Sequence, residues 1–282
     1  MFSGFFFFDF PGYLLRVTQA FALFCILSSS VYIINDILDV HQDKQHPFKK
    51  LRPIPSGKLP IPIALFAAVI GFTTVFFFSL TFSTFFMFLA LAYTVLQFLY
   101  STKLKHVPIL DVLAIAAGFV IRVYAGAVVV NLHMSVWFLL TVISASLFLA
   151  VGKRQSERTL MQGANVQTRK TLEHYSQRLL DIYTGMFANT TWLTYALYTF
   201  QRDDFQAEGR LLKIFTLLPK TFFTQKWLMI TIPLVIYGVM RYLQLVYEQN
   251  RGESPDKVLL EDKPILIAAI TWGALVMTIL YL

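Results

Sequence analysis

Cysteine is nearly absent from this sequence: Cys25 is the one such residue among 282, and it sits inside an apolar run. A disulfide within the chain needs two thiols and a thiolate metal centre needs several, so both are excluded and packing is the role left for Cys25. Charge is scarce too. Only 14% of residues are Asp, Glu, Lys or Arg, against 56% hydrophobic, and with a mean hydropathy of +0.61 the chain carries more apolar surface than a soluble globule of this length can hide. Histidine is thin at five residues, and nothing joins His41 and His46 into a zinc-like ligand set. The short alternation of polar and apolar residues that a membrane barrel requires is missing, and no internal repeat is visible. What the sequence has in quantity is phenylalanine, 28 residues, gathered with other apolar residues into blocks of roughly 20, the length a helix needs to cross hydrocarbon.

These blocks predict eight helical spans, at 13–34, 61–80, 83–101, 111–130, 135–152, 180–200, 227–247 and 264–282. Backbone polar groups in lipid must pair within their own segment, so continuous apolar runs imply helices. The expected fold is an all-α, multi-pass transmembrane helical bundle forming a single domain over residues 1–282. The first block runs straight into a polar motif without a small-residue cleavage signature, so it is expected to remain rather than be removed as a signal peptide. The net charge of +8 is dispersed between the apolar blocks rather than concentrated on a polar domain, which speaks for topology anchors and against nucleic acid. With the loops placed alternately on two sides, one side carries sixteen of the 24 Lys and Arg and the other five, while Arg16, Arg122 and Arg241 fall within spans. The excess marks the first side as cytoplasmic. A multi-pass protein of the cell membrane with its chemistry facing the cytoplasm is therefore expected. Within residues 207–226, Leu211, Leu212, Phe215, Leu218 and Phe222 recur at nearly helical spacing among basic residues, the pattern of an interfacial amphipathic helix or of an ordinary loop.

The strongest chemical signal follows the first span, in NDILDVHQD, with Asn35, Asp36, Asp39 and Asp43. At about 100° per residue a continuing helix puts the three aspartates on one face, within an arc of about 60°, and points His41 away from it. Three carboxylates so placed repel one another unless a cation lies among them. Oxygen ligands alone suit Mg²⁺, which commonly bridges carboxylates to substrate phosphates; a solvated acidic helix end is the plainer alternative. Directly after come Lys49, Lys50 and Arg52, with Pro53, Pro55 and Gly57 stiffening the turn back. Acid, metal and base together can clamp a diphosphate, although any one of these cations also suits a topology anchor. The next turn on the same side carries Tyr100, Lys103 and Lys105, and Asp111 opens the fourth span. Arg122 stands about 16 Å further along that span, near the membrane centre, where an ionisable residue marks either function or a buried ion pair. At the end of the fifth span Lys153 and Arg154 share a face with Glu157 and Arg158, a group able to grip a phosphate or to snorkel to the interface.

NDxxDxxxD after a span, RPIxSG in the following loop and YSxxLK at the next cytoplasmic turn resemble the UbiA superfamily of intramembrane transferases, over nearly the whole chain. GFVIRVYAGA around Arg122, GKRQSE at 152–157, LEHYS at 172–176 and VLLEDKPIL near the end are similar to the members that move phosphoribosyl groups. The family usually has nine spans, the first opened by a segment like RPxQWxKN, and that segment is absent here. Its aromatic prenyltransferases carry a second aspartate-rich motif; here the sixth-span region offers no DxxxD, and the basic GKRQSE stands near the corresponding place.

The resemblance implies transfer of 5-phosphoribosyl from 5-phosphoribosyl diphosphate to a polyprenyl phosphate, as a step toward a cell-wall polymer. On that view Asp36, Asp39 and Asp43 are the catalytic metal ligands for Mg²⁺, supported by Asn35. Lys49, Arg52, Lys153 and Arg154 meet the sugar phosphate and diphosphate, Glu157 orients the lysine or touches metal, and Lys105 and Arg122, with Tyr100 nearby, hold the lipid phosphate. It leaves homo-oligomerisation open. Two other readings are compatible with the residues: a prenyltransferase moving a prenyl group from its diphosphate to an aromatic acceptor, and an ion-coupled carrier, which lacks the matched broken helices of such folds.

Overall fold

The computed structural model describes residues 11–45, 49–162, 175–201, 226–248 and 261–281. Among them all regular structure is helical, and the chain divides into two compact units. The first unit holds α1 (Pro11–Leu38), the short α2 (Val40–Gln45), a 3₁₀ turn at Lys49–Leu51, α3 (Ile61–Ser79), α4 (Thr84–Thr102), a second 3₁₀ turn at Leu104–His106 and α5 (Leu110–Val129), and it takes in Tyr175. The second unit holds α6 (Val136–Gln162), α7 (Gln177–Gln201), a 3₁₀ turn at Trp227–Thr231, α8 (Ile232–Glu248) and α9 (Lys263–Tyr281).

In the first unit α1 packs on α3, α4 and α5. Ala20, Leu23, Phe24, Leu27 and Val31 repeat at the three- and four-residue intervals that align on one helix face, and that face is buried against Val75, Phe86, Ala90, Tyr93, Ala125 and Val129. The partner stripe on α3 is small: Ala64, Ala68, Gly71, Val75 and Ser79. Lipid tails are as apolar as leucine, so helices in a bilayer associate through close packing and polar contacts rather than by escaping solvent, and small residues let backbones approach. Gly71 is the limiting case, since a Cβ there would lie 2.0 Å from Ser30 Oγ. The opposite faces carry the phenylalanines: Phe21, Phe66 and Phe77 are 70%, 68% and 68% exposed, as suits lipid contact. At the start of α4 the Ser83 hydroxyl accepts a hydrogen bond from the Phe86 amide, pairing one of the donors a helix start leaves open.

In the second unit α6 packs on α7, α8 on α9, and α8 also touches α6 and α7. Phe148, Ala188, Tyr242, Leu245, Val246 and Ile265 form the core. Gly152 again marks a close approach, because a Cβ there would meet the Tyr242 ring at 2.9 Å. Polar contacts join elements within the apolar body: Tyr195 and Thr231 share a hydrogen bond of 2.6 Å, and the Trp272 indole donates to the Tyr195 hydroxyl at 2.8 Å.

Among the described residues six helical stretches are long and apolar enough to cross a membrane: Gly12–Leu38, Ile61–Ser79, Thr84–Thr102, Leu110–Val129, Val136–Thr159 and Trp227–Glu248. The other two expected spans are present as α7 and α9. Asp181 and several threonines interrupt the apolar run of α7, and in α9 the apolar stretch is the shorter Lys263–Ile279. Two ends differ from expectation. The first helix runs to Leu38 rather than 34 and so carries Asn35 and Asp36 on helical backbone, and the fifth continues past 152 to Gln162, so that GKRQSER is helical, as the face shared by Lys153, Arg154, Glu157 and Arg158 requires. The 207–226 segment lies, except for Lys226, outside the described residues.

Candidate functional site

The acidic motif straddles the junction of α1 and α2. A turn at Asp39 separates the two helices, yet Asp39 N–H bonds to Asn35 C=O at 2.9 Å and Asp43 N–H to Asp39 C=O at 2.8 Å. The helical ladder therefore continues through the turn and keeps Asp36, Asp39 and Asp43 in register. Two cations meet them. Arg52 donates from Nη1 to Asp36 Oδ1 at 2.7 Å and to Asp43 Oδ2 at 3.1 Å, and Lys105 donates from Nζ to Asp39 Oδ1. These pairs differ in surroundings. The Arg52 side chain is 41% exposed, whereas Lys105 and Asp39 are 3% and 7% exposed.

The loop that brings Arg52 back is folded by its own turn chemistry. Ser56 N–H bonds to Arg52 C=O, Leu59 N–H to Pro53 C=O and the Ser56 hydroxyl to Pro53 C=O. Gly57 sits at φ +79°, a left-handed conformation that glycine adopts without steric cost, and Ile54 is buried beneath it. Lys49 opens the 3₁₀ turn at Lys49–Leu51.

Lys105 is the middle residue of the turn at Leu104–His106, just before α5. At the entry to α5 Ile109 adopts φ +71°, ψ −48°, a region close to the rare γ-turn that costs a residue with a branched Cβ about 1–3 kcal/mol. The Tyr175 hydroxyl accepts the Ile109 N–H at 2.5 Å and donates to Asp111 Oδ1 at 2.7 Å. Tyr100 is partly buried in the last turn of α4. Arg122, midway along α5, donates to the Tyr93 hydroxyl at 2.5 Å and more distantly to Ser28 Oγ, and it stacks over the Tyr93 and Phe119 rings at 5.0 and 5.3 Å. Among the described residues it has no carboxylate partner, so the buried ion pair considered from the sequence does not form there.

The end of α6 in the second unit is buried on nearly every side, with Arg154, Gln155, Ser156 and Glu157 all in the interior. Arg154 donates from Nη1 to Glu157 Oε2 at 2.5 Å one turn on, and Lys153 is partly buried. Gln155 turns elsewhere, donating to Asp181 Oδ1 at 2.9 Å, and the same carboxylate accepts from Gln177 at 3.2 Å and Tyr247 at 3.0 Å.

The expected residues therefore fall into two sets. Asn35, Asp36, Asp39, Asp43, Arg52 and Lys105 gather in the first unit. Arg122 belongs to the same unit but pairs with Tyr93 rather than with the acidic cluster, while Arg154 and Glu157 pair with each other in the second. Sequence reasoning gives no part to Tyr175, Asp181 or Tyr247. A lone carboxylate near the start of an otherwise apolar helix is the signal that marks Asp181; Tyr175 has only its place in LEHYS.

The donor chemistry of the acidic cluster fits Mg²⁺. Its ligands are oxygens, the three carboxylates outnumber the two cations paired with them, and Asn35 Oδ1 is buried with no hydrogen-bond partner among the described residues. Among those residues no three carboxylate, imidazole or thiol side chains close into a ready-made cage. Mg²⁺ is accustomed to this, being held by one or two carboxylates with water and substrate phosphate completing its shell.

The UbiA prenyltransferase family profile matches residues 8–261. A decaprenyl-phosphate phosphoribosyltransferase of Corynebacterium glutamicum is 30% identical over 275 residues, covering 95% of this chain and 77% of that protein. The protein of the same name from Mycolicibacterium smegmatis is 31% identical over 265 residues, covering 94% of this chain and 80% of its own. Among solved structures, a UbiA homolog from Archaeoglobus fulgidus bound to DMAPP and Mg²⁺ superposes with a TM-score of 0.65 at 15% identity, over 94% of this chain and 87% of that one.

Proposed function

This chain belongs to the UbiA prenyltransferase family, and on that footing we propose that it is an integral membrane phosphoribosyltransferase. It moves 5-phosphoribosyl from 5-phosphoribosyl diphosphate to a polyprenyl phosphate and releases diphosphate. The observation that carries this reading is the similarity, at about 30% identity along some 95% of the chain, to two decaprenyl-phosphate phosphoribosyltransferases. Its chemistry is simple to balance. The bond from ribose C1 to the diphosphate oxygen breaks, the electron pair leaves with diphosphate, and an oxygen of the lipid phosphate forms the new bond to C1. That oxygen is already ionised at neutral pH, so no strong general base is needed, and catalysis is positioning and charge balance.

Asp36, Asp39 and Asp43 would hold Mg²⁺, whose charge offsets that developing on the departing diphosphate. Arg52 and Lys105 keep these carboxylates paired and gathered. Lys49 serves the donor's phosphates, and Arg122, with Tyr100 and Lys105, serves the lipid acceptor; in the second unit Lys153 and Arg154, the latter fixed by Glu157, form a separate phosphate-binding candidate. The whole chain acts as one transferase domain in the cell membrane with this chemistry on the cytoplasmic side, consistent with the charge excess of those loops.

The test is incubation of the purified protein in detergent with labelled 5-phosphoribosyl diphosphate, polyprenyl phosphate and Mg²⁺. A labelled lipid is expected. EDTA should abolish it, and Asp39→Asn should lower the rate by about 10²-fold or more, the usual scale for losing a group that stabilises transition-state charge. Transfer from a prenyl diphosphate to an aromatic acid with no phosphoribosyl transfer would replace this reading.

A further inference from the structure

The conformation at Ile109 needs a cause. A residue with a branched Cβ does not settle at φ +71°, ψ −48° by local preference, and such a backbone persists only where its surroundings hold it. The Ile109 N–H is also one of the donors that the start of α5 leaves unpaired. Both needs are met by one side chain from 66 residues away, whose hydroxyl accepts that N–H and is aimed by donating to Asp111 Oδ1. Tyr175 and Asp111 are 1% and 0% exposed, so water does not compete for the bond between them. We propose that Tyr175 is a positioning residue for Lys105: its hydroxyl, aimed by Asp111, latches the left-handed backbone at Ile109 and thereby sets the turn from which Lys105 reaches Asp39.

The coupling runs through the backbone. Asp111 N–H bonds to Val107 C=O at 3.1 Å and Val107 N–H to Leu104 C=O at 3.1 Å, while His106 N–H bonds to Lys103 C=O at 3.0 Å. Ile109 is thus four residues from Lys105 along a segment with few free torsions, and a change at its φ is passed to the turn at Leu104–His106. Lys105 itself is buried, so its ammonium has little room to find Asp39 from a displaced turn. The link from this latch to turnover rests on the transferase reading; the link from latch to Lys105 does not.

Two measurements separate these. In the first, Lys105 acylation by acetic anhydride is followed by mass spectrometry in wild type and Tyr175→Phe, with exposed Lys44 as the reference. The variant is expected to raise Lys105 labelling about tenfold, the scale of losing one hydrogen bond in a charged pair, with Lys44 unchanged. In the second, Tyr175→Phe is expected to lower kcat about tenfold with the KM for 5-phosphoribosyl diphosphate nearly unchanged, and to lower the thermal midpoint as well, because the buried Asp111 carboxylate loses a hydrogen bond. The double variant Ile109→Gly with Tyr175→Phe should recover most of the kcat and of the Lys105 protection, because glycine holds a positive φ without the latch. Unchanged labelling of Lys105 in Tyr175→Phe, or a double variant as defective as the single one, overturns the proposal. If Tyr175→Phe fails to fold, Asp111→Asn, which keeps an acceptor for the hydroxyl, is expected to raise labelling by a smaller factor, and no rise overturns it equally. A wild type without phosphoribosyl transfer would sink the functional reading while leaving the labelling result to decide the latch.

Discussion

Lys105 and Arg52 both neutralise aspartates of one motif, yet their removal should be felt differently. Lys105→Met strands the Asp39 carboxylate in the interior, where an unpaired charge costs about 3–5 kcal/mol, and Lys105 and Asp39 are both buried. Thermal unfolding in detergent should show that loss, and the double variant Lys105→Met with Asp39→Asn should recover much of it because no charge is left behind. Arg52 faces solvent over 41% of its side chain, so water can replace it in part, but Asp43 is buried and loses its cation too; Arg52→Ala should therefore cost less than Lys105→Met yet more than the roughly 1 kcal/mol of a fully exposed pair. Its effect on transfer should nonetheless be large, because two aspartates lose their shared cation. Equal losses of stability in the two single variants would contradict this account. Arg122 makes a separate case: its guanidinium sits over two aromatic rings and donates to the Tyr93 hydroxyl, and lysine does not reproduce that combination of planar cation and fixed donors.

Among the elements, α1 and α3 depend on a contact that only hydrogen fills. Gly71→Ala would set a methyl 2.0 Å from Ser30 Oγ, so either the Ser30 hydroxyl leaves its bond to Ile26 C=O or one of the helices shifts, at a cost of about 1–3 kcal/mol. Removing the hydroxyl as well, in Gly71→Ala with Ser30→Ala, should restore part of the lost thermal midpoint; no recovery would mean that the backbones rather than the side chain set the limit. The helices themselves are legible in the amino-acid sequence, because apolar runs of this length leave few alternatives. Their ends are not. Polar residues such as Asn35 and Asp36, or Lys153 to Arg158, look like loop when hydropathy alone is scanned, but α1 and α6 carry them as continued helix, since backbone hydrogen bonding does not stop where the apolar side chains do.

For the whole molecule, the sidedness read from basic residues is open to direct mapping. In a Cys25→Ala background, single cysteines at Ser56 and Thr81 should behave oppositely toward a membrane-impermeant maleimide. Thr81 should be labelled in intact cells and Ser56 only after permeabilisation, since the loops on either side of α3 fall on opposite faces. Labelling of Ser56 in intact cells would invert the orientation inferred from the Lys and Arg asymmetry.

The sequence by itself determined the class of molecule, because hydrocarbon imposes a length and an apolar character that composition alone displays. It also marked the acidic motif, since residues three and four apart share a helix face whatever the rest of the chain does. Tertiary structure decided which cation meets which acid. Asp39 and Lys105 are 66 residues apart, and so are Ile109 and Tyr175; no periodicity links such positions. Contacts at that separation exist only after helices have packed, and small residues such as Gly71, which carry no chemical signal of their own, govern how closely α1 and α3 approach.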